Sequence, residues 1–299
     1  MKIVISDTFY GAYEGVADEL KKRRDGAAPH IILVPDEFTM SVERGILTTL
    51  RTDAAFDIEV LSFSRLAAKL LKHGVKRCLT PQGAIILLQK VVEENGTSLS
   101  YYRRSRELPG FAEDICAALT ELRNSGISGG DIRGVGAGFT GSLKNKYEDL
   151  ALLYDRYMQA LMGRHSDSLT RLEALSEYIE KETLVPYNFY VCDFYEFTSP
   201  QLRALSALAA NARSLTVGVV QSFGGGNARL YPHETLKRLE KAAEGAGIRP
   251  EIVRKRVQLP RLHHRLAAGL YAFDGEEPVE AGNAVRLLKC GGVYAEVEE

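Results

Sequence analysis

Three short apolar runs, each followed by a loop and a stretch of helical composition, fall within residues 1–71, and this repetition restricts the fold more than any other feature of the chain. Ile3-Val4-Ile5 leads through a loop bearing Gly11 and Gly15 into Val16 to Lys22. Ile31 to Val34 stops at Pro35, beyond which Phe38 to Leu50 is helix-compatible. Ile58 to Leu61 runs through Ser62-Phe63-Ser64 into Arg65 to Leu71, with Ser64 as the expected N-cap. Strands joined in this way pair in parallel through crossover helices, so the expected fold class is α/β with a parallel sheet.

The pattern changes at Pro81. Helical windows follow at 81–94, 109–124, 142–162 and 168–183, with no strand pattern between them. Turn signals at Gly96, Ser125-Gly126, Ser128-Gly129-Gly130 and Gly134 to Gly141 divide these windows. Strand patterns return at Phe189 to Cys192 and Leu215 to Val220, with a helix from Pro200 to Asn211 between them. Residues 80–184 therefore read as an all-helical insertion into a core split between 1–79 and 185–299. Beyond Gly224-Gly225-Gly226, a helix is expected over Glu234 to Glu244, and strands at Ile252-Val253 and Val285 to Cys290. Tyr294 to Glu299 reads as the first turn of a helix that does not finish, so the chain is expected to be a fragment of a longer protein.

A length of 299 residues fits two domains or one core with a large insertion. Lys and Arg number 38 against 39 Asp and Glu, a formal net charge of −1, which excludes nucleic-acid binding by bulk charge and requires any basic surface to be local. The most basic window, Arg254 to Arg265, reads as solvated charge. Cys78, Cys116, Cys192 and Cys290 are too scattered for a zinc motif and are read as buried thiols. No stretch reaches the ~18–20 apolar residues of a membrane span, and the N-terminal run is too short for a signal peptide. The chain is expected to be cytoplasmic and to have no membrane partner.

In an open parallel sheet, ligands bind outside the carboxyl ends of the strands. The loops there read Ser6 to Tyr13, Pro35 to Thr39, Ser62 to Arg65, Asp193 to Thr198, and Gln221-Ser222-Phe223. Together, and in this order, they resemble the first motor domain of superfamily 1 DNA helicases. That domain has a phosphate loop, a Thr-bearing loop, a T-F-H-S-L-A-like strand end, a helical insertion, a D-E-x-Q-D-like strand end, and a strand ending in Gln. The nearer resemblance is to the N-terminal region of the B subunit of the AddAB (RexAB) helicase-nuclease. Leu33-Val34-Pro35-Asp36-Glu37-Phe38-Thr39 is similar to that family's L-V-P-D/E-Q-x-T segment. Ser62-Phe63-Ser64-Arg65-Leu66-Ala67 and Asp193-Phe194-Tyr195-Glu196-Phe197-Thr198-Ser199-Pro200 resemble its S-F-x-R-L-A and D-G-F-x-x-F-T-P segments.

The resemblance implies a P-loop NTPase (RecA-like) core whose nucleotide site has degenerated. A working phosphate loop needs a Lys for the terminal phosphates and a hydroxyl for magnesium. Gly11 is followed here by Ala12 and Tyr13, and Asp7 adds negative charge nearby. Active motors carry Asp-Glu at the second half of the site, where this chain has Asp193 followed by Phe194, and a phenyl ring neither accepts a proton nor orients water. ATP and magnesium are therefore not expected as cofactors, and Asp193 is read as a loop carboxylate capping the next helix. Gln221 completes this degenerate site. The family's nuclease and its cysteine-bound iron–sulfur cluster belong to a distant C-terminal region, so no cluster is expected in this fragment.

The resemblance also implies contact with single-stranded DNA, including recognition of a short Chi-type regulatory sequence, and pairing with an A-type helicase-nuclease subunit. Candidate DNA contacts are Thr39, Phe63, Arg65, Phe194, Tyr195 and Phe197: an Arg among aromatics suits unstacked bases. Taken singly, core packing also accounts for Phe63 and Phe197, and a surface ion pair for Arg65. Two other readings stand beside the non-catalytic DNA-contacting domain: an active superfamily 1 ATPase with divergent loops, and a pure protein-interaction scaffold.

Overall fold

A computed structural model describes residues 1–24, 28–71, 77–181, 184–221, 233–256, 285–286 and 288–292. The first half of the core comprises β1 (Lys2–Ser6), α1 (Phe9–Arg23), β2 (His30–Leu33), α2 (Thr39–Leu50) behind a 3-10 turn at Asp36–Phe38, β3 (Ile58–Leu61) and α3 (Phe63–Leu70). Then come β4 (Arg77–Cys78), α4 (Pro81–Asn95), α5 (Phe111–Asn124), α6 (Gly129–Gly136), α7 (Gly141–Arg164), β5 (His165–Ser166) and α8 (Ser168–Lys181). The core resumes with β6 (Leu184–Val191), α9 (Ser199–Asn211), β7 (Ala212–Val220), α10 (His233–Gly245) and β8 (Glu251–Arg254).

The six long strands form one wholly parallel sheet in the order β3-β2-β6-β7-β1-β8. The chain moves outward from β1 to β2 and β3, then returns to place β6 and β7 in the gap it left. This is the α/β class expected from the sequence, and the topology is consistent with a RecA-like core. Both faces of the sheet are covered, which is why its strands read as unbroken apolar runs. Side chains alternate between the faces along each strand. Ile3, Ile5, Ile31, Leu33, Phe189, Val191, Leu215, Val217 and Val219 join one apolar cluster with residues of α3, α8, α9 and α10. Ile32, Val34, Tyr190 and Cys192 point the other way, onto Val16, Ala17 and Leu20 of α1 and Val42 and Ile46 of α2.

A third core contains no residue of the large sheet. Leu88, Val91 and Val92 of α4, Phe111, Ile115 and Leu119 of α5, and Leu153, Tyr157 and Leu161 of α7 close on one another. In contrast, α8 packs against α3 and α9, and its Leu172, Leu175 and Ile179 belong to the sheet cluster.

Local chemistry explains where several elements differ from expectation. The N-cap of α3 is Ser62, whose Oγ accepts the Arg65 N–H at 3.2 Å, rather than Ser64. The Gly-rich stretch read as a turn after Ser128 is helix α6, set by a Ser128–Asp131 capping box. Two of its glycines allow close approach to α7: a Cβ at Gly129 would lie 2.2 Å from Asp155 Oδ1, and one at Gly136 2.6 Å from Tyr147 Cβ. The region expected to lack strands contains β5, which pairs in parallel with β4 just before it; at two residues each, they are too short for any periodicity to reveal. Val285, Arg286 and Leu288 to Cys290 are not in a strand, correcting that expectation: Val285 and Leu288 are exposed, so no apolar burial holds them to a sheet. The Gly224 triplet, Ser222-Phe223, positions 257–265 of the basic window, and Tyr294 to Glu299 lie outside the described residues.

The buried Arg123 of α5 reaches Asp167, just before α8, through two hydrogen bonds, one of them Nη2 to Oδ1 at 3.1 Å. Burial alone would raise the Asp167 carboxyl, but the guanidinium and the N–H and hydroxyl of Thr170 override it and hold the group below its ordinary value. The resulting stabilisation is present above the unfolded aspartate value of about 3.9 and drains as pH falls through the depressed folded value. Asp167→Asn leaves a buried guanidinium without its counter-charge. Urea titrations should show a loss of about 3 kcal/mol at neutral pH, and a shallower decline on acidification than in the unaltered chain.

Candidate functional site

The loops from the carboxyl ends of β1, β2, β3, β6 and β7 converge on one edge of the sheet. At the first of them, the residues expected to form a phosphate loop are already helical. Thr8 is extended and caps α1: its Oγ1 accepts the Gly11 N–H at 3.0 Å, and its carbonyl accepts the Ala12 N–H at 3.0 Å. Gly11 and Ala12 are buried in the first turn. The helix lies hard against the sheet at two glycines. A Cβ at Gly15 would be 2.4 Å from Val4 Cγ1, and one at Gly218 of β7 would be 2.9 Å from Val16 Cγ2 and 3.2 Å from the Ala12 carbonyl oxygen. Tyr13 turns toward α2, with its hydroxyl 2.9 Å from where a Gly45 Cβ would sit. Burial pushes the Tyr13 phenol up, against the opposing pull of the Thr49 hydroxyl. The Gly11 amide is thus spent on Thr8, and neither Ala12 nor Tyr13 presents a cation.

At the end of β6, Cys192 is buried and Asp193 adopts a left-handed backbone conformation, φ 63°. Burial raises the Asp193 carboxyl, partly offset by a hydrogen bond with the Cys192 thiol, and the same burial pushes the thiol well up. Asp193 does not cap α9, which corrects the reading from sequence. That cap is Thr198, in a reciprocal box with Gln201: Gln201 N–H donates to Thr198 Oγ1 at 3.4 Å, and Thr198 N–H to Gln201 Oε1 at 2.9 Å. A Thr followed three residues later by Gln was the sequence signal for this cap. The Gln221 N–H donates to the Ser6 carbonyl at 2.7 Å, tying the exit of β7 to the exit of β1.

The aromatic candidates divide into two groups. Phe63, Phe194 and Phe197 are buried against one another: Phe63 meets Phe194 edge-on at 5.6 Å between centroids, and Phe194 lies 5.1 Å from Phe197. These three therefore offer no stacking face to a base in this structure, a correction that follows from their place in the apolar cluster of the sheet. Thr39 is also buried, with its hydroxyl donating to the Asp36 carbonyl at 3.1 Å. Arg65 is exposed, and Tyr195 is 50% exposed. Four exposed residues in the same loops were not singled out from sequence: Phe9, Tyr10, Phe38 and Met40, the last 75% exposed. The signal for them was a helix start at Phe9 and the 3-10 turn at Asp36, which turn these side chains outward. Asp36, Glu37 and Glu196 are exposed among them and Asp7 is half-buried, so the loops after β2 and β6 are aromatic and acidic beside the exposed Arg65, while Arg254 and Arg256 are exposed at the carboxyl end of β8 on the same side of the sheet.

Restoring the missing groups should not restore a nucleotide site, because the space is taken by α1 itself. Ala12→Lys with Tyr13→Thr is expected to lower the melting temperature by several degrees, with a fluorescent ATP analogue showing no magnesium-dependent binding. Tight magnesium-dependent binding by the unaltered chain would contradict this geometry.

The model of the family described as ADDB, N-terminal, matches residues 8–265. A Bacillus velezensis protein, named as the B subunit of an ATP-dependent helicase/deoxyribonuclease, is 32% identical over 214 residues, covering 68% of this chain and 18% of the relative. The Bacillus subtilis protein of the same name is 32% identical over 212 residues, covering 67% and 18%. The protein of that name from Caldanaerobacter subterraneus subsp. tengcongensis is 28% identical over 305 residues, covering 94% of this chain and 26% of its own length. The chain thus spans about a fifth to a quarter of the relatives it matches. With a parallel α/β core carrying these strand-end segments, and a family match over most of its length, the chain belongs to the ADDB N-terminal domain family.

Proposed function

We propose that this chain is a non-catalytic, RecA-like domain of the B subunit of an ATP-dependent helicase-nuclease that processes DNA ends for recombinational repair. In that complex it contacts single-stranded DNA, with Chi-type sequence recognition, and the A-type partner subunit. The observation that carries the reading is the double closure of the nucleotide site. A capped, close-packed helix turn stands in place of a phosphate loop, and Phe194 is buried in an aromatic cluster at the position where a motor needs a carboxylate. Each loss removes a separate requirement of phosphoryl transfer, namely charge neutralisation and water orientation. Residues 80–184 are read as the helical insertion of such a domain.

The acidic, aromatic character of the carboxyl edge bears on how DNA is contacted. Carboxylates such as Asp36 and Glu196 repel a phosphate chain, so this edge suits base faces rather than backbone. Tyr195 and Phe38 supply ring faces, and the Arg65 guanidinium supplies planar stacking or paired donors. The same acidity favours the second reading, a surface for a basic protein segment.

The test is single-stranded DNA affinity of the assembled two-subunit complex. Tyr195→Ala and Arg65→Ala are each expected to weaken binding by about 1–3 kcal/mol, roughly 5- to 150-fold, with subunit assembly unchanged. Unchanged DNA affinity together with lost co-purification of the partner would favour the protein-interaction reading.

A further inference from the structure

The acidic and aromatic loops after β2 and β6 leave open where the phosphate chain of bound DNA is held. The geometry points to a second surface, on the helical block formed by α4–α7, that grips single-stranded DNA by its phosphates and stacks a base. This inference rests on the proposed DNA-handling role of the parent complex, but not on any contact at the carboxyl edge.

The surface centres on the segment between α4 and α5. Asp149 of α7 is 3% exposed, and its carboxylate accepts three consecutive amide N–H groups, from Ser100 at 3.1 Å, Tyr101 at 2.8 Å and Tyr102 at 2.9 Å. Charge-assisted bonds of this kind hold a loop rigid against a helix. The anchored loop presents Tyr101, 43% exposed, and the next residues, Arg103 and Arg104, are both exposed. Lys146, one turn of α7 before Asp149, places its ammonium over the Tyr101 ring, 6.0 Å from the centroid.

Charge complementarity identifies the occupant. Among the described residues no carboxylate pairs with Arg103, Arg104 or Lys146, whereas the neighbouring Arg106 and Lys144 are met by Glu107 at 3.7 Å and Glu148 at 3.8 Å. Three uncompensated cations on one rigid surface form a local positive patch in a chain whose formal net charge is −1. An aromatic pair adjoins Lys146 along the chain. Leu143, Lys146 and Tyr147 are neighbours on α7 at three- and four-residue spacing, and Phe139 stacks on Tyr147 at 5.3 Å with only 17° between the ring planes. Phe139 remains 38% exposed, so the stacked pair has a side open to a third ring. Cations alternating with ring faces are what a phosphate chain with unstacked bases requires, whereas a duplex presents phosphates but keeps its bases stacked inside.

The test uses the assembled complex with an oligo-thymidine probe and a blunt duplex of equal length. Arg103→Ala/Arg104→Ala/Lys146→Ala should weaken single-strand binding about tenfold and reduce the slope of log affinity against log salt by about 2, at ~0.7 per phosphate contact. Phe139→Ala should weaken single-strand binding several-fold with no change in slope, and leave duplex binding unchanged. An unchanged slope and affinity in the triple variant, with Tyr195→Ala still impaired, overturns this surface while sparing the carboxyl edge. The converse pattern supports this surface and removes the edge. Equal losses on single strand and duplex for Phe139→Ala overturn the stacking role.

Discussion

The seat of α1 on the sheet is the constraint from which the character of this domain follows. Gly15 and Gly218 remove the two side chains that would hold the helix away from β1 and β7, and the helix descends until the Ala12 carbonyl and the Val16 methyl touch the strand. A phosphate loop needs the opposite arrangement, a widened turn whose amides point inward at an anion. With Thr8 capping the helix and Ala12 buried, the strand-to-helix junction is closely packed. The Asp193 backbone, left-handed at the equivalent exit from β6, leads into the same kind of outcome: the following phenyl ring joins Phe63 and Phe197 inside the core.

The packed strand-to-helix junction bears on what this edge of the sheet presents. A motor edge must be electropositive to hold nucleotide phosphates. Here Asp36, Glu37 and Glu196 stand among Phe9, Tyr10, Phe38 and Tyr195, a composition better matched to ring faces and to cationic partners. On the helical block, Arg103, Arg104 and Lys146 meet no carboxylate among the described residues, around a loop fixed by the buried Asp149. A near-zero net charge is compatible with locally biased surfaces, because each can carry an excess of one sign while the whole remains balanced.

The fold was largely legible because parallel strands covered on both faces must be continuous apolar runs. Ile3 to Ile5, Ile31 to Val34, Phe189 to Cys192 and Leu215 to Val220 each stood out and each became a strand or its core. Cap chemistry was legible in principle, as Thr198 with Gln201 and Ser128 with Asp131 both follow the reciprocal pattern. Helix α6 was hidden because four glycines lower helical propensity, and only the close approach to Asp155 and Tyr147 accounts for two of them, Gly129 and Gly136. The two-residue strands β4 and β5 carry no periodic signal at all.

The positions of the strand-end loops were legible, but the exposure of their side chains was not. Residue order alone settled the strand-end loops, the lack of a lysine between Ser6 and Tyr13, and the side chains available there, because composition and order are local properties. Which aromatics face solvent was settled only in the folded chain: Phe63, Phe194 and Phe197 come from two loops distant in sequence, and only the parallel packing of β3 beside β2 and β6 lets α3 and α9 close over them. The same holds for the cationic surface, where Tyr101 and Lys146 meet only because Asp149 captures the loop amides. Burial and proximity between distant segments arise from three-dimensional packing, and no local pattern encodes them.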